Sequence, residues 1–355
     1  MTSTIEPLFF FESNYLTDTK VYVLDSVNSG TGRTEKKDLY HQILKPIFEL
    51  INVDHEYIAT TSASTVSEFA KSLDGSRDST VIFISGDTSV NEFVNNLSDK
   101  PSAKLKLFTF PSGTGNSLAL SVGLTDEIDA LKKLFNSSSK VAPLNLYEVD
   151  FPKGSYFLVQ DEKTTEIEGP LKFLVVLSWG FHASLVADSD TPELRKHGIE
   201  RFKLAAFSNL EQEQKYEGHV KAGDELLDGP FAYWLLTSAK RFEPTFEISP
   251  KGDILEESLY LVSFKTEESP SYIMDIMMQI YNKGSHIDNK NVTYKKLTKD
   301  DKIVLTTTNS KSLRKRRFCL DGSIIALPEA DEHQLSFNIA EHPNRQFNWE
   351  LFIVF

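Results

Sequence analysis

Two short apolar runs, each ending in a turn of small residues, constrain this chain more than any other feature. Val81-Ile82-Phe83-Ile84 leads into Ser85-Gly86-Asp87-Thr88-Ser89-Val90-Asn91-Glu92, and residues 105–110 lead into Pro111-Ser112-Gly113-Thr114-Gly115-Asn116. Each run reads as a buried strand, and each turn precedes a predicted helix. A junction of this kind aims unpaired backbone N–H groups at one point, where an anion binds. Two such junctions, about one strand–helix unit apart, can form a polyphosphate cradle with the Asp87 carboxylate beside it. That is the outline of a phosphotransferase.

Strand and helix alternate over residues 18–142. Val21-Tyr22-Val23-Leu24 is a strand candidate. Residues 35–51 carry Leu39, Ile43, Ile47 and Ile51 at four-residue spacing, one face of a helix that Pro46 is expected to kink. Residues 64–73 repeat the helical spacing with Val66, Phe69, Ala70 and Leu73. Thr125 is placed to cap a helix bearing Ile128, Leu131, Leu134 and Phe135. The alternation predicts an α/β N-terminal domain, a mostly parallel sheet covered by helices, with ligands at the carboxyl ends of the strands.

The polar run Asn136-Ser137-Ser138-Ser139-Lys140 reads as a boundary. Beyond it, residues 143–355 predict a largely β, sandwich-like C-terminal domain. Apolar strand candidates stand at 171–177, 231–237, 259–264, 303–308, 334–339 and 349–354, punctuated by turn residues. Helical patterns interrupt them near 193–210 and 271–281.

A net charge of −13 over 355 residues argues against a general nucleic-acid binder, and against a protein held to an anionic membrane by overall charge. The single cysteine, Cys319, allows no internal disulfide and suggests a reducing compartment. No apolar run reaches membrane-spanning length. The expectation is a cytoplasmic protein, soluble or peripheral on an internal or plasma membrane. His182, His197 and His286 show no metal-ligand spacing, so no metal site is assigned to the chain.

The first predicted strand ends in Asp25-Ser26-Val27-Asn28-Ser29-Gly30-Thr31-Gly32-Arg33. Gly30 and Gly32 permit positive φ and close approach to phosphate. The Gly-Lys-Ser/Thr ending of a P-loop is absent. Alone this is a turn; its value is as the first of three small-residue loops in one α/β region. Asp87 either caps the helix that follows or acts as general base on a substrate hydroxyl. Glu92 either holds a helix face or polarises that site. Asn116 either caps a helix or touches a nucleotide.

These loops resemble those of the diacylglycerol kinase catalytic superfamily, which includes sphingosine kinases, ceramide kinase and bacterial lipid kinases. The third loop, Pro111 to Ala119, carries the whole pattern Pro-x-Gly-Thr/Ser-Gly-Asn-x-x-Ala. The first has Ser26 and Val27 where the family has Asn and Pro. The second has Thr88 in place of a glycine, and a β-branched residue would be strained if that backbone needs positive φ. Asp321-Gly322 is similar to the family's Asp-Gly-Glu, with Ser323 in place of Glu. The resemblance implies ATP and Mg²⁺ as cofactors, with Asp87 and Glu92 catalytic. It implies nucleotide contacts from Ser26, Ser29, Gly30, Thr31, Gly32, Thr60, Ser85, Gly86, Gly113, Thr114, Gly115, Asn116, Asp321 and Gly322.

Leu177-Ser178-Trp179-Gly180-Phe181 is similar to a segment of sphingosine kinases, as is Arg195-Lys196-His197-Gly198-Ile199-Glu200-Arg201-Phe202, whose two arginines bind ATP phosphates in that family. The resemblance therefore adds Arg195 and Arg201 to the nucleotide site. It points to a sphingoid long-chain base as the acceptor, met at a membrane surface, with diacylglycerol or ceramide as alternatives. A non-catalytic lipid- or nucleotide-binding pseudokinase is the competing class, motivated by Ser26, Thr88 and Ser323. The family's acidic residue for the amino-alcohol head falls near Ser184, Asp188 or Asp190, depending on where the segment's extra residues lie. Phe181 and the methionines of the apolar helix, Met274 and Met277, are expected to line the lipid pocket. The basic run from Lys311 to Arg317 could meet membrane or phosphate, or be a solvated turn.

Overall fold

A computed structural model describes residues 14–30, 32, 34, 37–98, 103–136, 139–269, 271–309, 311–339 and 349–355. Four parallel strands form the heart of the first sheet: His55–Ala59, Lys20–Asp25, Ser79–Ser85 and Lys104–Pro111, in that spatial order. Ser79–Ser85 is buried along its whole length. Such burial is what a parallel strand covered on both faces requires, and it explains the unbroken apolar run in the sequence.

The sheet is completed from the far end of the chain. Glu350–Val354 pairs parallel with Lys104–Pro111, and Val141–Pro143 pairs antiparallel with its other edge. The last strand candidate thus belongs to the first sheet, not to the β-rich region where its sequence position put it. Edge pairing decides this: Leu351, Ile353 and Val354 are buried against the α/β core.

The strands that remain among the described residues form two antiparallel sheets. The eight-stranded one includes Val176–Gly180, Phe231–Thr237, Leu259–Lys265 and Arg317–Leu320; the six-stranded one includes Tyr147–Asp150, Gly218–Ala222, Ile303–Thr308 and Glu332–Ile339. Their facing sides share a core in which Trp179, Trp234 and Leu261 of one meet Val220, Leu305 and Phe337 of the other. The opposite face of the eight-stranded sheet, with Tyr233, Leu235 and Val262, belongs to a second core that continues into the parallel sheet. The helix Tyr272–Tyr281 joins this core through Ile273, Ile276 and Ile280.

Several local readings shift. The helix over 40–50 buries Tyr40, Leu44 and Phe48, one position on from the predicted face, and Ile43 is exposed. Aromatic bulk decides it: Tyr40 stacks on Tyr57, and Phe48 packs on His55 and Phe135. The helix Glu127–Leu134 is capped by Asp126, whose side chain accepts from the Asp129 amide, and Ile128 faces solvent. The apolar stretch 171–177 is divided between the two antiparallel sheets, as Leu171–Phe173 and Val176–Gly180.

Candidate functional site

A cavity of about 950 Å³ opens where the carboxyl ends of the parallel strands meet the eight-stranded sheet and its helices. One end is lined by Ser26, Ser29, Gly30, Gly86, Asp87 and Gly113 to Gly115, the other by Leu185, Phe202, Phe246, Met274, Met277 and Tyr281. A polar loop cluster and an apolar chamber thus share one space.

The loops interlock through backbone contact. A Cβ on Gly113 would lie 2.4 Å from the Cα of Gly86, and one on Gly86 would lie 2.8 Å from the Gly115 carbonyl oxygen. Only glycine lets these two turns pass each other. Asn116 clips the third loop shut: its Oδ1 accepts from the Gly113 amide at 2.8 Å, and its Nδ2 donates to the Gly113 carbonyl at 2.9 Å. Asn116 is a brace and does not line the cavity. Thr60 braces the first loop in the same way, its Oγ1 accepting from the Val27 amide at 3.1 Å. Ser85 is buried, with its hydroxyl on the Gly86 carbonyl at 3.2 Å. Gly32 takes positive φ outside the cavity wall, and Thr31 lies outside the described residues.

Asp87 opens the helix Asp87–Asn95 and also caps a second one. Its Oδ2 accepts from the Ser117 amide at 2.7 Å and its Oδ1 from the Leu118 amide at 3.1 Å, at the start of Ser117–Ser121. Loss of solvation in this crevice raises its pKa to about 7, with the charge of Asp321 adding to the rise and the Leu118 and Ser117 amides opposing it. Thr88 follows Asp87 inside the helix, so no strained backbone arises there, and its hydroxyl donates to the Asp321 carbonyl at 3.1 Å.

Asp321 lines the cavity but is committed to the protein. It accepts from the amides of Leu174, Val175 and Val176 at 2.7, 2.9 and 2.7 Å, and from Asn91 Nδ2 at 2.8 Å. These donors hold it at a φ of 46°, unusual for a residue with a side chain. Burial raises its pKa to about 6, against the pull of those amides. Its carboxylate therefore ties the sandwich to the helix of Asp87 and has no spare role as a metal ligand; Gly322 and Ser323 line the cavity beside it. Glu92 lies outside the cavity wall and is half-buried, where the helix Asp87–Asn95 meets the helix Thr65–Ser72. Burial raises its pKa, and the Ser67 amide opposes the rise. It holds a helix face and does not reach the reacting site.

Arg195 and Arg201 both line the cavity, and one residue holds them together. Asp190 accepts from Arg195 Nε at 2.7 Å and Nη2 at 2.9 Å, and from Arg201 Nη1 at 3.1 Å. Arg201 Nε is buried without a partner among the described residues. Asp190 is thus taken by the arginines. Asp188 is taken by the basic run, accepting from Arg317 at 2.7 Å and Arg314 at 3.4 Å, with Asn209 at 2.9 Å. Ser184 is buried, its hydroxyl 2.8 Å from that of Tyr216. None of the three stands free to meet a lipid amine. The same pairing answers for the basic run, whose Arg314 and Arg317 close a structural ion-pair network.

Known proteins point the same way as the geometry. Residues 20–146 match the family described as "Diacylglycerol kinase catalytic domain". The chain is 25% identical over 200 residues to sphingosine kinase 2 of Arabidopsis thaliana, which covers 55% of this chain and 38% of that protein. It is 32% identical over 117 residues to sphingoid long-chain bases kinase 1 of the same plant, covering 31% of this chain and 15% of that protein. The chain therefore spans well under half the length of these relatives. A crystal structure of a diacylglycerol kinase from Bacillus anthracis shares the fold with a TM-score of 0.55 and 12% identity, covering 95% of this chain and 96% of that one.

The three loops fit a polyphosphate. Gly86 and Gly113 leave no room for a Cβ, and Arg195 and Arg201 stand in the cavity wall. No three carboxylate, imidazole or thiol groups converge on a metal position among the described residues. Mg²⁺ fits as an ion carried chiefly by phosphate and water, its usual manner in nucleotide sites. Sequence reasoning missed Asn28, Phe242, Glu243 and above all His182, all of which line the cavity. His182 follows Phe181 at the start of the helix Phe181–Ser189. It carried no signal because no histidine or cysteine stands at ligand spacing from it.

Proposed function

We propose that this protein is an ATP-dependent lipid kinase that transfers the γ-phosphoryl group to a hydroxyl of a long-chain lipid. The observation that carries the reading is the continuity of one cavity from a glycine-walled phosphate cradle, past Asp87, into an apolar chamber. The loops of Ser29 and Gly30 and of Gly113 to Gly115 would hold the phosphates, with Arg195 and Arg201 across from them. Mg²⁺, when bound with the nucleotide, would supply charge neutralisation for the transferring group.

Asp87 would take the proton from the attacking hydroxyl. A general base works best with a pKa near the working pH, and burial puts Asp87 at about 7. The amides of Ser117 and Leu118 fix the direction of its carboxylate, so little reorganisation accompanies proton transfer. Met274 and Met277 would adapt to a hydrocarbon chain. Ile199, Phe207, Met278 and Tyr281 are exposed at the cavity's apolar end, which suits lipid entry during transient contact with a membrane surface.

A sphingoid long-chain base is the acceptor favoured by the names of the relatives. An uncharged lipid such as ceramide or diacylglycerol is the second reading, favoured by the ion pairs that occupy Asp188 and Asp190. Incubation of the purified protein with γ-labelled ATP and Mg²⁺ and a panel of sphingosine, dihydrosphingosine, phytosphingosine, ceramide and diacylglycerol tests the proposal. Label entering a lipid supports it. No transfer to any lipid, with nucleotide binding shown separately, would leave a nucleotide-binding pseudokinase.

A further inference from the structure

The helix Phe181–Ser189 shows the cavity four side chains: Phe181, His182, Leu185 and Val186. His182 is the one polar group among them. Ser184 and Asp188, on the same helix, are engaged with Tyr216 and with Arg314 and Arg317.

The ring of His182 is fixed. Its Nδ1 lies 2.7 Å from Ser178 Oγ, on the strand beneath. Phe242 packs at 5.3 Å between ring centroids and Tyr233 at 6.1 Å. Its Nε2 has no partner among the described residues and is not a sealed-off atom, and His182 lines the cavity. Burial lowers the pKa of the ring to about 4, which leaves it uncharged at neutral pH.

His182 is linked to the Asp87 end through Phe242. The carbonyl of Phe242 accepts from the Ser117 hydroxyl at 3.4 Å, and the Ser117 amide is one of the two that donate to Asp87. An uncharged imidazole there can hydrogen-bond a hydroxyl or a carbonyl, but it cannot balance an ammonium. A buried ammonium without an anion is costly, and the helix offers none. Resting on the lipid-kinase reading, we infer that His182 is a specificity-determining residue. Held by Ser178, it would hydrogen-bond an uncharged oxygen beside the acceptor hydroxyl and so select neutral lipids over sphingoid bases.

Rates of phosphorylation of dioctanoylglycerol, N-acetylsphingosine and sphingosine, compared in the wild type, His182→Leu, His182→Asp and Ser178→Ala, test this. The neutral lipids should be preferred. His182→Leu should raise KM for them about tenfold, the scale of one lost hydrogen bond to a buried partner, with KM for ATP unchanged. Ser178→Ala should give a smaller rise in the same direction, and His182→Asp should move preference toward sphingosine. A preference for sphingosine that His182→Leu leaves intact would overturn the inference. So would a sphingosine preference lost in Glu243→Gln, a half-buried carboxylate of the cavity wall that accepts from the Tyr281 hydroxyl at 3.1 Å. If no lipid is phosphorylated, the kinase reading falls, and binding of fluorophore-labelled forms of the same lipids decides the matter. About tenfold weaker binding of the neutral lipids to His182→Leu would support the recognition role, and unchanged binding would overturn it.

Discussion

The two ends of the cavity are built by different means. The phosphate end is made of backbone: Gly86 and Gly113 pass within a Cβ's breadth of each other, and Asn116 and Thr60 brace the loops from behind. The lipid end is made of side chains on the eight-stranded sheet and three helices, beside acidic residues that the fold has already paired. Asp190 holds Arg195 and Arg201, and Asp188 holds Arg314 and Arg317. A backbone site announces itself in short contiguous motifs. A side-chain site depends on which partners the fold brings together across long stretches of chain.

Substitutions can break or sharpen that contrast. The largest effect belongs to Asp87, where the two ends meet. Asp87→Asn should lower phosphoryl transfer by about a thousandfold, within the range for a general base, while a direct binding measurement shows ATP affinity little changed. Arg201→Ala should raise KM for ATP about 10- to 100-fold, the worth of a charge-assisted contact, with a smaller fall in kcat. Gly113→Ala should cost about 1–3 kcal/mol in denaturant unfolding, because the added methyl meets backbone that cannot turn aside. Met277→Leu, a volume-conserving change in the lipid chamber, should cost less than about 1.5 kcal/mol. Glu92→Gln should be the mildest, changing transfer less than about twofold, since the residue packs between helices away from the cavity.

The same contrast explains what could be read from the chain alone. Three of the four central parallel strands, the three loops and Asp87 were legible because each is a local pattern: an apolar run, a small-residue turn, a carboxylate after Ser-Gly; the half-buried strand His55–Ala59 offered no such run. The final strand, Glu350–Val354, was legible as a strand but not as a member of the first sheet, because its partner lies at Lys104–Pro111, far away in sequence. The exposed polar strand Glu162–Glu166 and the four-residue buried strand Arg317–Leu320 gave no periodic signal. The acidic residues after Trp179-Gly180 were legible as a cluster, but not their pairing: Asp190 meets the nearby Arg195 and Arg201, and Asp188 meets Arg314 and Arg317 from far along the chain. Thr88 looked like a source of strain and proved to be an ordinary helical residue whose hydroxyl reaches the Asp321 carbonyl.

The claim that Asp87 serves as the base of a lipid kinase is tested most directly by the pH dependence of kcat/KM for lipid phosphorylation between pH 5 and 9. Only the ionised carboxylate can accept a proton, so activity should rise with pH to a plateau with a midpoint near 7, the value to which burial lifts this group. Below the midpoint the rate should fall about tenfold per pH unit, and Asp87→Asn should lack that limb. A flat profile across the range, or an Asp87→Asn protein as active as the wild type, would contradict the account.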